Sequence, residues 1–243
     1  MNLPGYRVIE HLSRTNRFDT YEVWSDDRAC SCVAKVVRAD RNGDAKARKA
    51  LIREGERLLG LVHPHIVRGY ELVTLPDVAL VMETLDGETV AHLVDRNPGG
   101  LPAEEVAWLG LHLASALRYL HARRLLHLDV KSANVVADGG RAKLIDLSLA
   151  RPPGRYEPGV GTWCYLSPEQ EAGEEVGPPA DVWGLGMVLY EAATGDAVEG
   201  RPPPARGRAA DALADVIDSC LVPAPTARPT LDEVMRRLGP IAT

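Results

Sequence analysis

His127-Leu128-Asp129-Val130-Lys131-Ser132-Ala133-Asn134 places an Asp, a Lys and an Asn in fixed order, and Asp146 follows twelve residues after Asn134. Three polar side chains within these six residues, Asp129 to Asn134, stand between a Leu-rich and a Val-rich run. A purely structural role would require buried partners for each, at a cost of a few kcal/mol per group left unpaired. Transfer of a phosphoryl group from a magnesium–nucleotide uses these residue types. One carboxylate takes the proton of the attacking hydroxyl, and an ammonium neutralises charge on the phosphoryl. An amide oxygen and a second carboxylate hold the metal ions. Asp-x-Lys-x-x-Asn between apolar runs is therefore a specific signal.

The rest of the chain is read outward from this stretch. With 243 residues, 45% of them hydrophobic and 26% charged, the chain can bury a sizeable core, as one two-lobed domain or two small ones. No apolar run approaches the roughly 20 residues needed to span a bilayer. The start, Met1 to Tyr6, has neither the basic nor the apolar region of a secretory signal, so no membrane association and a cytoplasmic location are expected. A net charge of −6 argues against nucleic acid as a partner. Cys30 and Cys32 form a close pair, while Cys164 and Cys220 are distant. Without a second pair at zinc-ligand spacing, they read as reduced thiols in strand and core positions.

From Tyr6 to about Val37 the chain reads as short strands, with a turn at Asp26-Asp27-Arg28. Ala45 to Leu61 reads as a helix with Leu51, Leu58 and Leu59 on its apolar face, broken by His63-Pro64-His65. Ile66–Leu75 and Val78–Glu83 read as a strand pair. After Asp86-Gly87-Glu88 the pattern turns helical. Pro102-Ala103-Glu104-Glu105 opens a long helix, acidic in its first turn where the dipole favours it. Two short strands flank Asp138-Gly139-Gly140, and a loop runs from Pro152 to Gly161. Helices are expected over Ala180–Thr194, Ala209–Leu221 and Leu231–Leu238. The Pro-rich stretch Glu199–Pro204 is a linker that cannot be helical.

This order of motifs resembles the protein kinase family, of the bacterial serine/threonine type and actinobacterial-like, from about Tyr6 to Leu238. The resemblance implies an α+β, two-lobed kinase-like fold. A small antiparallel sheet with one helix (1–85) would precede a mainly helical lobe (86–243) shortened after Gly195, with nucleotide in the cleft between them. It implies ATP and Mg2+ as cofactors and a protein Ser/Thr hydroxyl as acceptor; regulation is expected from a separate protein partner or from the nucleotide level of the cell. Lys35 would pair with the nucleotide phosphates, held by Glu54. Val33 and Val136 would contact adenine, with Met82 as gatekeeper and Glu83 and Leu85 offering backbone groups. Asp129 would be the base, Lys131 the cation on the transferred phosphoryl, and Asn134 and Asp146 the metal ligands. Gly161-Thr162 and Ser167-Pro168-Glu169 match the end of the activation segment, with Thr162 bonding near Asp129 and Lys131. Asp181 would brace the catalytic loop, and Arg228 would pair with Glu169.

Four departures bear on function. Ser13 to Thr20 contains no glycine where the family has a glycine-rich loop. Glycine there allows close backbone approach and positive φ. Weaker nucleotide binding is therefore expected. Arg14 and Arg17 are open to two readings, as replacement phosphate contacts or as solvated residues on a hairpin tip. Asp146-Leu147-Ser148 stands for Asp-Phe-Gly. Leu128 replaces the arginine that gathers an activation-loop phosphate. Val33 rather than Ala34 would face adenine. The alternative reading is a kinase-like module of weak or no activity that binds nucleotide or scaffolds partners. A small-molecule kinase is disfavoured by the activation-segment motifs. His127 is expected to be a core residue. Trp108, Trp163 and Trp183 are expected to pack, and His92, His112 and His121 to be solvated or capping.

Overall fold

Strand alternation organises the first part of the chain. The computed structural model describes residues 3–41, 43–198, 200 and 202–243. Met1, Asn2, Asn42 and, from the linker, Glu199 and Arg201 lie outside the described residues, while Pro202–Pro204 form neither helix nor strand. Contacts divide the chain into two units, Met1–Asp86 and Gly87–Thr243.

In the first unit, strands β1 (Tyr6–Arg14), β2 (Phe18–Ser25) and β3 (Cys30–Val37) precede helix α1 (Ala45–Leu59) and strands β4 (Gly69–Val73) and β5 (Ala79–Glu83). They form one antiparallel sheet in the order β1-β2-β3-β5-β4. Cys32, Ala34 and Val36 turn one face of β3 into a core with Val23, Ala79 and Val81. By the two-residue period of a strand, Val33 and Lys35 stand on the other face, opposite Met82 and Leu80 of β5. Asp44 caps α1, its carboxylate accepting from the N–H groups of Lys46 and Ala47. The helix stops at Leu59, two residues earlier than its apolar pattern suggests. Leu61 is nevertheless buried, folded back by its N–H bond to Leu58 O. Ile66 and Val67 are likewise buried in the turn before β4 and not in a strand.

The second unit is mainly helical. It comprises β6 (Glu88–Thr89), α2 (Val90–Arg96), α3 (Ala103–His121), β7 (Val135–Asp138), β8 (Arg141–Leu144), β9 (Gly154–Arg155), α4 (Pro168–Ala172), β10 (Glu175–Val176), α5 (Pro178–Thr194), α6 (Asp211–Cys220) and α7 (Leu231–Leu238). Every residue of α5 from Ala180 to Thr194 is buried, as expected of a helix enclosed on all sides. Two prolines start it, and Gly195, at φ 74°, ends it. A Cβ at Gly195 would lie 2.5 Å from Asn97 O, so only glycine fits. Between Thr194 and Asp211 no helix forms among the described residues. The loop expected over Pro152–Gly161 contains β9, paired with β10 through Gly154–Val176 and Arg155–Glu175. A two-residue ladder leaves no periodic trace in sequence.

Candidate active site

The expected site residues divide between the two units, and each set is built by its own unit. In the first, β3 carries Lys35 and the buried face of α1 carries Glu54. Lys35 Nζ donates to both Glu54 carboxylate oxygens at 2.9 Å. Their side chains are 11% and 2% exposed, so this is a buried, charge-assisted pair and not a surface one. The Phe18 ring centre lies 5.2 Å from Lys35 Nζ, a cation–π contact. Val33 is half-buried on the same strand face as Lys35, whereas Ala34 is enclosed in the core on the other face. Met82 is buried, Glu83 and Leu85 are half-buried. The Glu83 N–H is committed to Arg68 O at 2.9 Å.

The glycine-free hairpin tip is closed by ions. Asp19, 2% exposed, accepts from Arg14 Nε at 2.7 Å and Nη2 at 3.2 Å. His11 Nε2 lies 3.1 Å from the same carboxylate. The Arg14 hydrogen bond, with help from His11, holds the Asp19 carboxyl below the usual carboxylate range despite burial. Arg14 thus bonds within its own hairpin, a pairing that neither of its two expected readings included.

In the second unit the decisive stretch precedes β7. Thr162 Oγ1 donates to Asp129 Oδ1 at 2.6 Å and accepts from Lys131 Nζ at 2.6 Å. Lys131 Nζ is also 2.9 Å from Asp129 Oδ2. The Asn134 amide nitrogen donates to Asp129 O and Oδ2, each at 2.9 Å, so its oxygen is the atom left to face a cation. Val135 pairs with Leu144 across the β7–β8 hairpin, and Ile145 N donates to Asn134 O at 3.1 Å. Asn134 and Asp146 thus emerge at the same end of one hairpin, which Gly139 and Gly140 close with positive φ at the other. Val136 is buried on β7. An amide oxygen and a carboxylate are hard donors that suit Mg2+, which takes one or two protein ligands and fills the rest with phosphate and water.

Asp181, buried in the first turn of α5, holds this loop by its backbone. Its carboxylate accepts from His127 N at 2.9 Å, Leu128 N at 2.8 Å and His121 Nε2 at 2.7 Å. Burial works to raise its pKa, but the His121 hydrogen bond and charge and the His127 N–H prevail and keep it lowered. His121 is therefore a half-buried partner of Asp181, not a solvated or capping residue. His112 is half-buried within α3 and accepts from the N–H of Ala142 in β8 at 3.2 Å, tying helix to strand instead of capping a helix end. His127 is fully buried, and burial pushes its pKa down. Its Nδ1 accepts from Asp129 N at 3.3 Å, which leaves the proton on Nε2. Trp183 is buried as expected, but Trp163 is 72% and Trp108 47% exposed, which corrects the packing role given to them.

Of three further groups, the sequence marked one, the Glu169–Arg228 pair, while Glu191 and Gln170 were missed. Glu191 of α5 accepts from Ser132 Oγ, from Tyr165 OH at 2.6 Å and from Val198 N at 3.0 Å. Glu169 and Arg228 form a buried bidentate pair at 2.7 and 2.8 Å, as the motifs implied. Gln170, in contrast, was passed over, although Ser167-Pro168-Glu169-Gln170 has the Ser-x-x-Gln form of a capping box.

Comparison with known proteins agrees with this geometry. The model of the protein kinase domain matches residues 6–238. The chain is 36% identical over 204 residues to serine/threonine-protein kinase PknF of Mycobacterium tuberculosis, covering 79% of this chain and 43% of that protein. It is 34% identical over 236 residues to serine/threonine-protein kinase PkaA of Streptomyces coelicolor, covering 86% and 42%. It is also 37% identical over 156 residues to serine/threonine-protein kinase 36 of Mus musculus, covering 62% and 12%. The chain thus spans less than half the length of these relatives. No helix among the described residues is long and apolar enough to cross a membrane. With a fold of five-stranded sheet and helix followed by a mainly helical unit, and a family match over nearly its whole length, this chain belongs to the protein kinase family.

Proposed function

We propose that the chain transfers the γ-phosphoryl group of ATP to Ser or Thr hydroxyls of proteins, as a single kinase domain with Mg2+ as cofactor. The observation that carries this reading is the bonded triangle of Asp129, Lys131 and Thr162. Asp129 orients the acceptor hydroxyl and takes its proton. Lys131 places positive charge beside the transferred phosphoryl, and Thr162 fixes the distance between the two. Lys35, held by Glu54, positions the phosphates, and Val33, Met82, Glu83, Leu85 and Val136 contact adenine. Asn134 and Asp146 hold the metal, which when bound neutralises phosphate charge. Most of the acceleration is positioning and electrostatics, since phosphoryl transfer needs little covalent help. ATP as donor and four free thiols support a cytoplasmic setting, with a protein substrate and a regulatory protein as partners.

The glycine-free hairpin and Asp146-Leu147-Ser148 favour a second reading, a nucleotide-binding or scaffolding module with little catalysis. Radiolabelled ATP with a basic protein substrate separates the two. Label transferred by the wild type and not by Lys35→Met supports the kinase. No transfer above the variant supports the module. Label on aminoglycosides or choline-like alcohols instead of protein would point to a small-molecule kinase.

A further inference from the structure

We propose that Gln170 is a positioning residue that fastens the activation segment to the catalytic loop through neutral hydrogen bonds. Its functional meaning rests on the kinase reading above; its structural content does not. Gln170 lies in the first turn of α4 and is 6% exposed. Its amide nitrogen donates to Leu128 O at 3.1 Å and Val160 O at 2.9 Å. Its amide oxygen accepts from Ser167 N at 3.2 Å and Ser167 Oγ at 3.0 Å. An amide has two donors and two acceptor sites, so every one is used. The Gln170 backbone carbonyl also accepts from Gly159 N at 3.0 Å.

The two carbonyls that this one side chain joins are placed for a purpose. Leu128 immediately precedes Asp129, and Val160 lies two residues before Thr162. Leu128 has φ 65°, a backbone state that side-chain-bearing residues seldom adopt. Asp181 holds its N–H and Gln170 holds its carbonyl, so the strained residue is pinned at both ends. Gly161 sits against the same contact. A Cβ there would lie 3.1 Å from Leu128 O, 3.3 Å from Gln170 Nε2 and 2.6 Å from Leu166 Cδ2, and its φ is 139°. The Thr162 hydroxyl therefore meets Asp129 because a neutral amide locks the two backbones beside it.

The partners of the Gln170 side chain are all neutral, and the charged contact between the two segments is made separately, by Lys131 and Asp129 with Thr162. The Leu128 side chain packs in an apolar cluster with Leu126, Val176, Ala180 and Tyr156. Transfer should thus need no phosphate on the segment.

Hydrogen–deuterium exchange of the wild type and Gln170→Glu tests this, with kcat and KM for magnesium–ATP measured alongside. The variant keeps the side-chain shape and loses the two donated bonds. Exchange over 156–166 should quicken about tenfold, with α3 and α5 unchanged. kcat should fall about 10–100-fold, since a misplacement of an ångström costs about that much, while KM stays as in the wild type. Gly161→Ala approaches the same contact from the other side and should give the same local signature. Treating the wild type with a protein phosphatase should leave kcat unchanged. Unaltered exchange, exchange raised uniformly across the second unit, unchanged kcat despite a loosened segment, or a loss on phosphatase treatment would each overturn the proposal. If the wild type transfers no phosphoryl group, the kinase reading fails while the exchange result still decides the brace.

Discussion

The Thr162 hydroxyl donates to Asp129 Oδ1 across 2.6 Å while accepting from Lys131 Nζ at the same distance. One small side chain thus sets the spacing of an anion and a cation, to which the proposed function gives the acceptor hydroxyl and the transferred phosphoryl. Thr162→Val removes both bonds and preserves volume. We expect kcat to fall about 10–100-fold with a thermal midpoint close to the wild type. Thr162→Ser should restore most of the rate. Equal rates for the valine and serine variants would show that the hydroxyl does not position the pair.

Lys35 and Glu54 form a buried pair whose value for stability differs from its value for function. Removing the cation by Lys35→Met leaves a buried carboxylate without its ammonium, at a cost of about 3–5 kcal/mol. The double variant Lys35→Met, Glu54→Leu should regain much of that stability in urea denaturation and remain inactive. A double variant as unstable as the single one would place the cost elsewhere than in the buried carboxylate.

Acid should unfold the protein early, and His127 is the reason. Burial lowers its pKa, against Asp181, Asp129 and Asp146, which raise it, and with Lys131, which lowers it. The folded protein therefore keeps this imidazole neutral where the unfolded chain binds a proton. Below about pH 6.5 the unfolded state takes up more protons, so stability falls as pH falls. The thermal midpoint should drop between about pH 7 and pH 5.5, and drop less in His127→Phe. Parallel profiles for the two proteins would remove His127 as the cause.

The Arg14–Asp19 pair gives the hairpin a rigidity that glycine would not. Arg14→Ala should speed hydrogen exchange at the tip, residues 13–20, and leave the dissociation constant for magnesium–ATP as in the wild type. A clear loss of affinity would mean that the guanidinium leaves Asp19 for the phosphates. Because the Asp19 pKa is lowered, chiefly by the Arg14 hydrogen bond, this contribution is present above the ordinary carboxylate pKa of about 4 and fades below it.

How far sequence reasoning reached depends on the range of the interaction. α1 and the long helices were legible because their apolar periods span several turns, and β2 and β3 because β-branched and aromatic residues crowd them. α7 was placed residue for residue, at Leu231–Leu238. The Asp129–Asn134 stretch was legible because polar residues between apolar runs have few other uses. Asp19 was not, since a charge in a half-exposed strand looks like any solvated residue until Arg14 and His11 close on it. Gln170 and Glu191 were missed for a similar reason. Their partners, Leu128 O and Ser132, lie 42 and 59 residues away, and only the fold brings them together. Helix α2, seven residues long, is too short to declare a period.

The base role of Asp129 is the centre of the account, and one variant tests it. Asp129→Asn keeps the side-chain shape and removes the carboxylate that takes the proton. Phosphoryl transfer from magnesium–ATP to a protein acceptor should fall by about 10³-fold. The thermal shift caused by ATP with magnesium, relative to ATP with chelator, should persist, because nucleotide binding does not need this proton acceptor. Transfer at the wild-type rate by Asp129→Asn would contradict the account.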